Sequence, residues 1–273
     1  MSLNQPRSKP LASLSLDLDN KWSYMKTHGD AGWESLPSYL DIVVPRVLGL
    51  LRERNLKITF FVVGLDAAQE RNHKVLGSIT EGGHEVGNHS FHHEPWLHLY
   101  SDTQLQEEIA KAEDAIKGAT GQHPVGFRGP GFSVSVGLLE LLSSRGYLYD
   151  ASTFPTFLGP LARAYYFMKS RLDDQQQKEQ RKKLFGSLSD GLRSTQAYRW
   201  QISGTGLLEI PVTTMPMFKL PIHVSYLLFL SNYSSALALA YFNTAMVLCE
   251  MTGTQPSLLF TPSILWGATT LRT

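Results

Sequence analysis

Apolar and polar positions alternate with period two from Leu11 to Asp19, the signature of a strand with one buried face. Leu40, Val43, Val44, Val47, Leu48 and Leu51 then recur at helical intervals, which predicts a helix over 38–55. The alternation of the two periods continues down the chain. A β-branched and aromatic run over 58–64 precedes a helix near 67–81, and Gly82-Gly83 breaks that helix before a strand over 84–89. A helix over 103–118, a strand over 125–128, a helix over 137–146 ending at a glycine and a short strand over 148–150 follow. Strand and helix in alternation make an α/β protein with a parallel sheet. We read it as a distorted (β/α) barrel rather than an open sheet, because a barrel gathers the chemically active residues at the carboxyl ends of its strands.

From 156 to 201 the pattern lapses, and 173–183 is a Gln-, Lys- and Arg-rich stretch suited to a solvated helix or loop. It is an insertion over the barrel mouth or a plain surface excursion. A strand resumes over 207–212, and 257–260 supplies the last one. Between Lys219 and Glu250 there is no Asp, Glu, Lys or Arg. Polar Ser231, Asn232, Ser234, Ser235 and Asn243 argue against a membrane span there. We expect a buried barrel helix preceded by an apolar loop, the alternative being a surface that touches lipid.

The 273 residues suffice for one domain over 1–273, with 42% hydrophobic and 18% charged positions and a net charge of +1. That balance suggests no nucleic-acid partner. Cys249 is the single cysteine, which excludes an intrachain disulfide and any multi-cysteine metal centre, so metal ligands must be His and carboxylate. No apolar run long enough for a signal peptide precedes the first strand, so a cytoplasmic location is expected.

Three constellations carry chemistry. Asp17 and Asp19 end the first strand, and residues two apart on a strand point the same way, so two carboxylates lie close together and call for a cation. His89-Ser-Phe-His92-His93 follows the third strand, and His89 and His93 stand at the i, i+4 spacing that places two imidazoles on one face of a helical turn, with His92 a competitor at i+3. Imidazole with carboxylate suits zinc, or cobalt or another divalent ion, and three protein ligands leave a position open for water or substrate. In Gly126-Phe-Arg128-Gly-Pro-Gly131-Phe132, Arg128 can orient an acidic partner while the glycines let backbone approach a ligand.

In this order and spacing the three motifs resemble the polysaccharide deacetylase superfamily, the NodB-homology group that includes chitin and peptidoglycan deacetylases. The resemblance implies a barrel of seven strands and a metal-dependent hydrolase that removes an N-acyl group, typically N-acetyl, from an amino sugar or glycan. It further implies Asp17 as general base, Asp19, His89 and His93 as metal ligands, Arg128 as the tether of Asp17, and the Gly131 N–H as part of an oxyanion hole. Tyr149-Asp150-Ala-Ser-Thr-Phe154 looks like the fourth motif, with Asp150 orienting Arg128 and Phe154 lining the pocket. Trp22, Phe132 and His223 complete the expected substrate contacts, with Phe132 standing in for a tyrosine that many members carry at the position of Gly131.

The family's last motif, Leu-x-His, is matched by Leu258-Leu-Phe-Thr261, where Thr replaces the His that protonates the leaving amine. Thr cannot serve as an acid near neutral pH, and residues 263–273 stop short of the further segment that the resemblance leads us to expect. Three functions are therefore expected in order: an N-deacetylase, on a lipid-linked or nucleotide-linked intermediate given the apolar 220–249 segment and the expected location; a metal- or sugar-binding relative with lost catalysis, unless His223 substitutes as acid; and an amidase on small cyclic or formylated amides. The partner is an N-acylated sugar, with peripheral contact to lipid where the substrate is lipid-linked.

Overall fold

The computed structural model describes residues 11–158, 191–202 and 205–262. Their strands form one eight-stranded sheet and a separate two-stranded ribbon. The sheet is built from β1 (Ser13–Asp17), β2 (Thr59–Val62), β3 (Glu85–Asn88), β4 (Gly126–Phe127), β5 (Tyr149–Asp150), β6 (Tyr198–Ile202), β7 (Thr205–Glu209) and β10 (Ser257–Phe260); the ribbon pairs β8 (Thr214–Met215) with β9 (Leu220–Pro221). The order is β10-β1-β2-β3-β4-β5-β7-β6. All neighbours are parallel except β6 and β7. The parallel part thus has the seven strands expected, curled as a half-barrel whose edge strands do not join among the described residues. The antiparallel β6 is an addition. It falls in the stretch where no pattern was expected, although Tyr198, Trp200 and Ile202 alternate with Arg199 and Gln201; the insertion expected before it lies mostly outside the described residues.

The helices lie where apolar periodicity puts them: α2 (Leu40–Glu53), α4 (Glu70–Glu81), α5 (Asp102–Thr120) and α6 (Val136–Ser144). Two short ones went unpredicted, α1 (Lys21–His28), which the Asn20 side chain caps by accepting from the Lys21 N–H, and α3 (Gly64–Ala67). Period-two alternation divides the strands between two faces. Leu16, Phe60, Val62 and Val86 pack outward on Leu40, Val43, Val44, Val47, Leu76, Ile79 and Ile116 of the helices. Ser15, Asp17, Thr59, Phe61, Glu85 and Gly87 occupy the other, inner face. The outer apolar layer fixes the register, and the register fixes which polar residues meet inside.

The uncharged segment departs from expectation. It forms α7 (Val224–Ser231) and α8 (Ser235–Thr252), not a buried barrel helix. Of α8, Ala238, Ala245 and Cys249 are buried, Ala245 against Met215 and Ile222 of the ribbon region, whereas Leu237, Leu239, Val247 and Met251, like Phe229 of α7 and Tyr233 between the helices, are exposed. A helix that docks through a narrow line of small residues leaves its larger apolar side chains outside. No described helix is long and apolar enough to cross a membrane.

Candidate active site

The sequence places Asp17 at the end of β1, on its inner face, and Arg128 just past β4. Arg128 is 1% exposed, and its guanidinium donates to Asp17 Oδ1 (2.8 Å), Ser15 Oγ (2.8 Å) and the Ala151 carbonyl (2.9 Å) while lying 4.3 Å over the Phe61 ring. Arg128 therefore tethers Asp17 by one of its two oxygens.

Asp19, His89 and His93 come together, with one candidate ligand atom from each all within 4.8 Å of one another. Asp19 Oδ1 is 2.9 Å from His93 Nε2 and 3.3 Å from His89 Nε2. That oxygen is buried, yet neither approach has hydrogen-bond geometry. Donor atoms converging without a shared proton suit a cation between them. His89 Nδ1 lies 2.6 Å from the Arg128 carbonyl, which can only accept, so Nδ1 carries the proton and Nε2 keeps its lone pair for a ligand. Burial alone would push Asp19 up, but His93 and His89 hold its carboxyl well below the usual range. Burial pushes His89 down, and the negative charges of Asp17 and Asp19, with the Arg128 carbonyl on Nδ1, outweigh it, so its pKa is raised.

The two imidazoles do not converge through a helical turn. Residues 89–94 are an irregular loop in which Ser90 (φ 61°) and His93 (φ 56°) are left-handed. His92 is turned away, its Nδ1 2.7 Å from Glu108 Oε2, which removes it from competition as a ligand.

Trp22 does not reach substrate: it is 0% exposed, packs edge-on to His93 and donates from Nε1 to Asp66 Oδ1 (2.9 Å). Asp66 also accepts from Asn20 Nδ2 (2.7 Å), and burial pushes its pKa up to about 6 against those hydrogen bonds. It supports Asp19 and His93 from behind, since Asn20 adjoins the first and Trp22 backs the second.

Asp150 does not touch Arg128 among the described hydrogen bonds. Its Oδ1 accepts from Ser152 Oγ (2.5 Å), and Ser152 Oγ in turn accepts from the Gly129 N–H (2.8 Å), so Asp150 steadies the turn after Arg128 through an intermediary. Burial, then the charge of Glu209 on the neighbouring strand, pushes Asp150 well above the usual carboxylate range. Glu209 accepts from the Thr153 N–H and hydroxyl and from Trp200 Nε1. The turn itself demands glycine: a Cβ on Gly129 would meet the Ser133 carbonyl oxygen at 2.1 Å, and Gly131 has φ 59°.

Phe132 and Phe154 stack with centroids 5.0 Å apart, both half-buried. His223, between β9 and α7, is held as neutral imidazole, its pKa pushed down to about 4 by burial, with Asp17 and Asp19 opposing and Arg128 assisting. As a neutral ring it is no ready acid. The β1–β10 register pairs Leu16 with Phe260, so Thr261 follows at the level of Asp17. Asn20, Asp66, Glu108, Ser152 and Glu209 were not singled out from the sequence; only Asn20 had a local signal, a capping residue before a helix.

Residues 30–149 match the family model described as Polysaccharide deacetylase, a segment that holds His89, His93 and Arg128. A peptidoglycan deacetylase of Helicobacter pylori is 30% identical over 151 residues, 52% of this chain and 49% of that protein. A peptidoglycan-N-acetylglucosamine deacetylase of Listeria monocytogenes is 38% identical over 88 residues, 32% of this chain and 18% of the relative. The chain thus spans about half the length of the first relative and far less of the second. A Mycobacterium smegmatis crystal structure, assigned by name to the polysaccharide deacetylases, superimposes with a TM-score of 0.56 at 20% identity, over 93% of this chain and 79% of that one, so the two share a fold.

Proposed function

We propose that the chain belongs to the polysaccharide deacetylase superfamily and is a metal-dependent hydrolase removing the N-acetyl group from an amino sugar of a glycan. The observation that carries this reading is the tethered carboxylate of Asp17 beside the Asp19–His89–His93 cluster. A divalent ion, zinc foremost, held by those three side chains would supply Lewis acidity toward the amide carbonyl and a nucleophilic water. Arg128 fixes Asp17 Oδ1, and the second oxygen takes the proton of the attacking water. The Gly131 N–H, in its left-handed turn, stabilises the oxyanion. The Phe132–Phe154 stack offers an aromatic wall to a sugar ring, and neutral His223 offers it a hydrogen bond.

Thr261 favours a second reading, a relative that binds metal and glycan without efficient turnover. It stands at the level of Asp17, where the family's acid would protonate the leaving amine. Acetate release from N-acetylated glycan oligomers and peptidoglycan fragments, with zinc or cobalt added, separates the readings. Under the first, the chain releases acetate, Asp17→Asn abolishes release, and Thr261→His raises it by about 10²- to 10⁴-fold. Glycan binding by calorimetry with no release from either the native chain or Thr261→His establishes the second. Release only from formylated or cyclic amides would overturn both. Within the first reading, the exposed uncharged faces of α7 and α8 support a lipid-linked sugar as substrate, which should then be cleaved faster than the same sugar without its lipid.

A further inference from the structure

The loop that carries His89 and His93 holds a conformation its own sequence does not favour. Two non-glycine residues, Ser90 and His93, sit in the left-handed region, where a Cβ crowds the backbone. Local ties are few: the Ser90 N–H donates to Asn88 Oδ1 (2.8 Å) and the His93 N–H to Ser90 Oγ (3.1 Å). On the carbonyl side, Ser90 and Phe91 accept from the Gly64 and Leu65 N–H groups at 2.8 and 3.0 Å. Lys26 Nζ reaches the His92 carbonyl (3.3 Å) and Glu94 Oε1 (2.5 Å). The N–H groups of Phe91 and His92 both point to one atom, Glu108 Oε1, at 2.9 and 2.6 Å, and Glu108 Oε2 takes His92 Nδ1 at 2.7 Å.

Glu108 lies in the middle of α5, and its carboxylate is 3% exposed. A buried carboxylate that accepts from two successive backbone amides and an imidazole makes charge-assisted bonds, stronger than neutral ones, in a place water does not compete. It also disposes of the ring that would otherwise rival His93. We propose that Glu108 is a positioning residue that locks the 89–94 loop in its ligating conformation before any ion arrives, and so sets the affinity of the Asp19–His89–His93 site. This role rests on the metal-site reading above. Without the carboxylate, two amides lose their acceptor, the left-handed residues relax, and the two Nε2 atoms must be regathered at the expense of binding.

The test is zinc affinity of the metal-stripped full chain, measured by competition with a chromophoric chelator, alongside circular dichroism to report folding. Glu108→Ala should bind zinc about 10- to 100-fold more weakly, the range for removing a partner behind a ligand. Glu108→Gln keeps an acceptor oxygen but no charge, and should lose a smaller factor, about three- to tenfold. His92→Ala, which loses only the ring contact, should stay within about twofold of the native chain. Native affinity in both Glu108 variants overturns the role; if Glu108→Ala does not fold, native affinity in Glu108→Gln overturns it alone. A His92→Ala loss as large as that of Glu108→Ala also overturns it, because His92 would then be a ligand. A native chain that takes up no zinc sinks the metal reading itself, an outcome separate from native binding with unaffected variants.

Discussion

Replacing Arg128 with methionine isolates the contact on which the proposed chemistry turns. The substitution keeps an apolar stem against Phe61 but removes the guanidinium that now serves Asp17, Ser15 and the Ala151 carbonyl. Both members of the pair are buried, Arg128 at 1% and Asp17 at 7% exposure, so water cannot replace the lost partner. Breaking such a pair from one side costs about 3–5 kcal/mol, most of it the penalty of a stranded charge. At about 2–4 °C per kcal/mol for a chain of this size, the metal-free protein should melt roughly 6–20 °C lower. The double variant Asp17→Asn/Arg128→Met removes the stranded charge as well, and should recover at least about 1 kcal/mol relative to Arg128→Met. Urea unfolding of the four proteins at neutral pH gives the cycle. A loss under about 1 kcal/mol in Arg128→Met, or a double variant no more stable than it, refutes the view that Arg128 neutralises Asp17.

Asp66 gives the pH dependence. Its folded pKa of about 6 lies above the unfolded value near 3.8, so the folded state binds the proton more tightly, and this group's stabilisation is full below about pH 4 and lost as pH rises to about 6. Metal-free Asp66→Asn should therefore gain on the native chain across that window, by on the order of 3 kcal/mol at most, and a constant difference from pH 4 to 7 would contradict the assignment. Gly129→Ala forces a Cβ onto the Ser133 carbonyl and should lower stability by about 1–3 kcal/mol or more, measured by thermal melts; a neutral result would mean that the turn opens freely. Ser152→Ala leaves the buried Gly129 N–H and Asp150 without their shared partner and should cost about 2–4 kcal/mol in urea unfolding, together with part of any deacetylase activity; unchanged stability would show that Asp150 does not steady the turn.

What the sequence by itself determined is what lies close along the chain. Period two and period 3.6 located the parallel strands and their covering helices, because each element buries one face and that face is written in consecutive residues. The same locality exposed Asp17 with Asp19, His89 with His93, and Arg128 in its glycine turn. Only the tertiary structure decided which of these side chains are served by which others. Glu108, Asp66 and Glu209 act on residues up to 56 positions away, as in Glu108 with His92 or Glu209 with Thr153, and nothing local marks a buried carboxylate as the acceptor for a distant backbone. Trp22 went behind the site and not into it because α1, unforeseen, turns its ring onto Asp66. The uncharged segment went to the surface because burial depends on what packs against a face, not on how apolar the face is. His93 over His92 was settled by Glu108 and two left-handed residues, where spacing alone had suggested a helical turn.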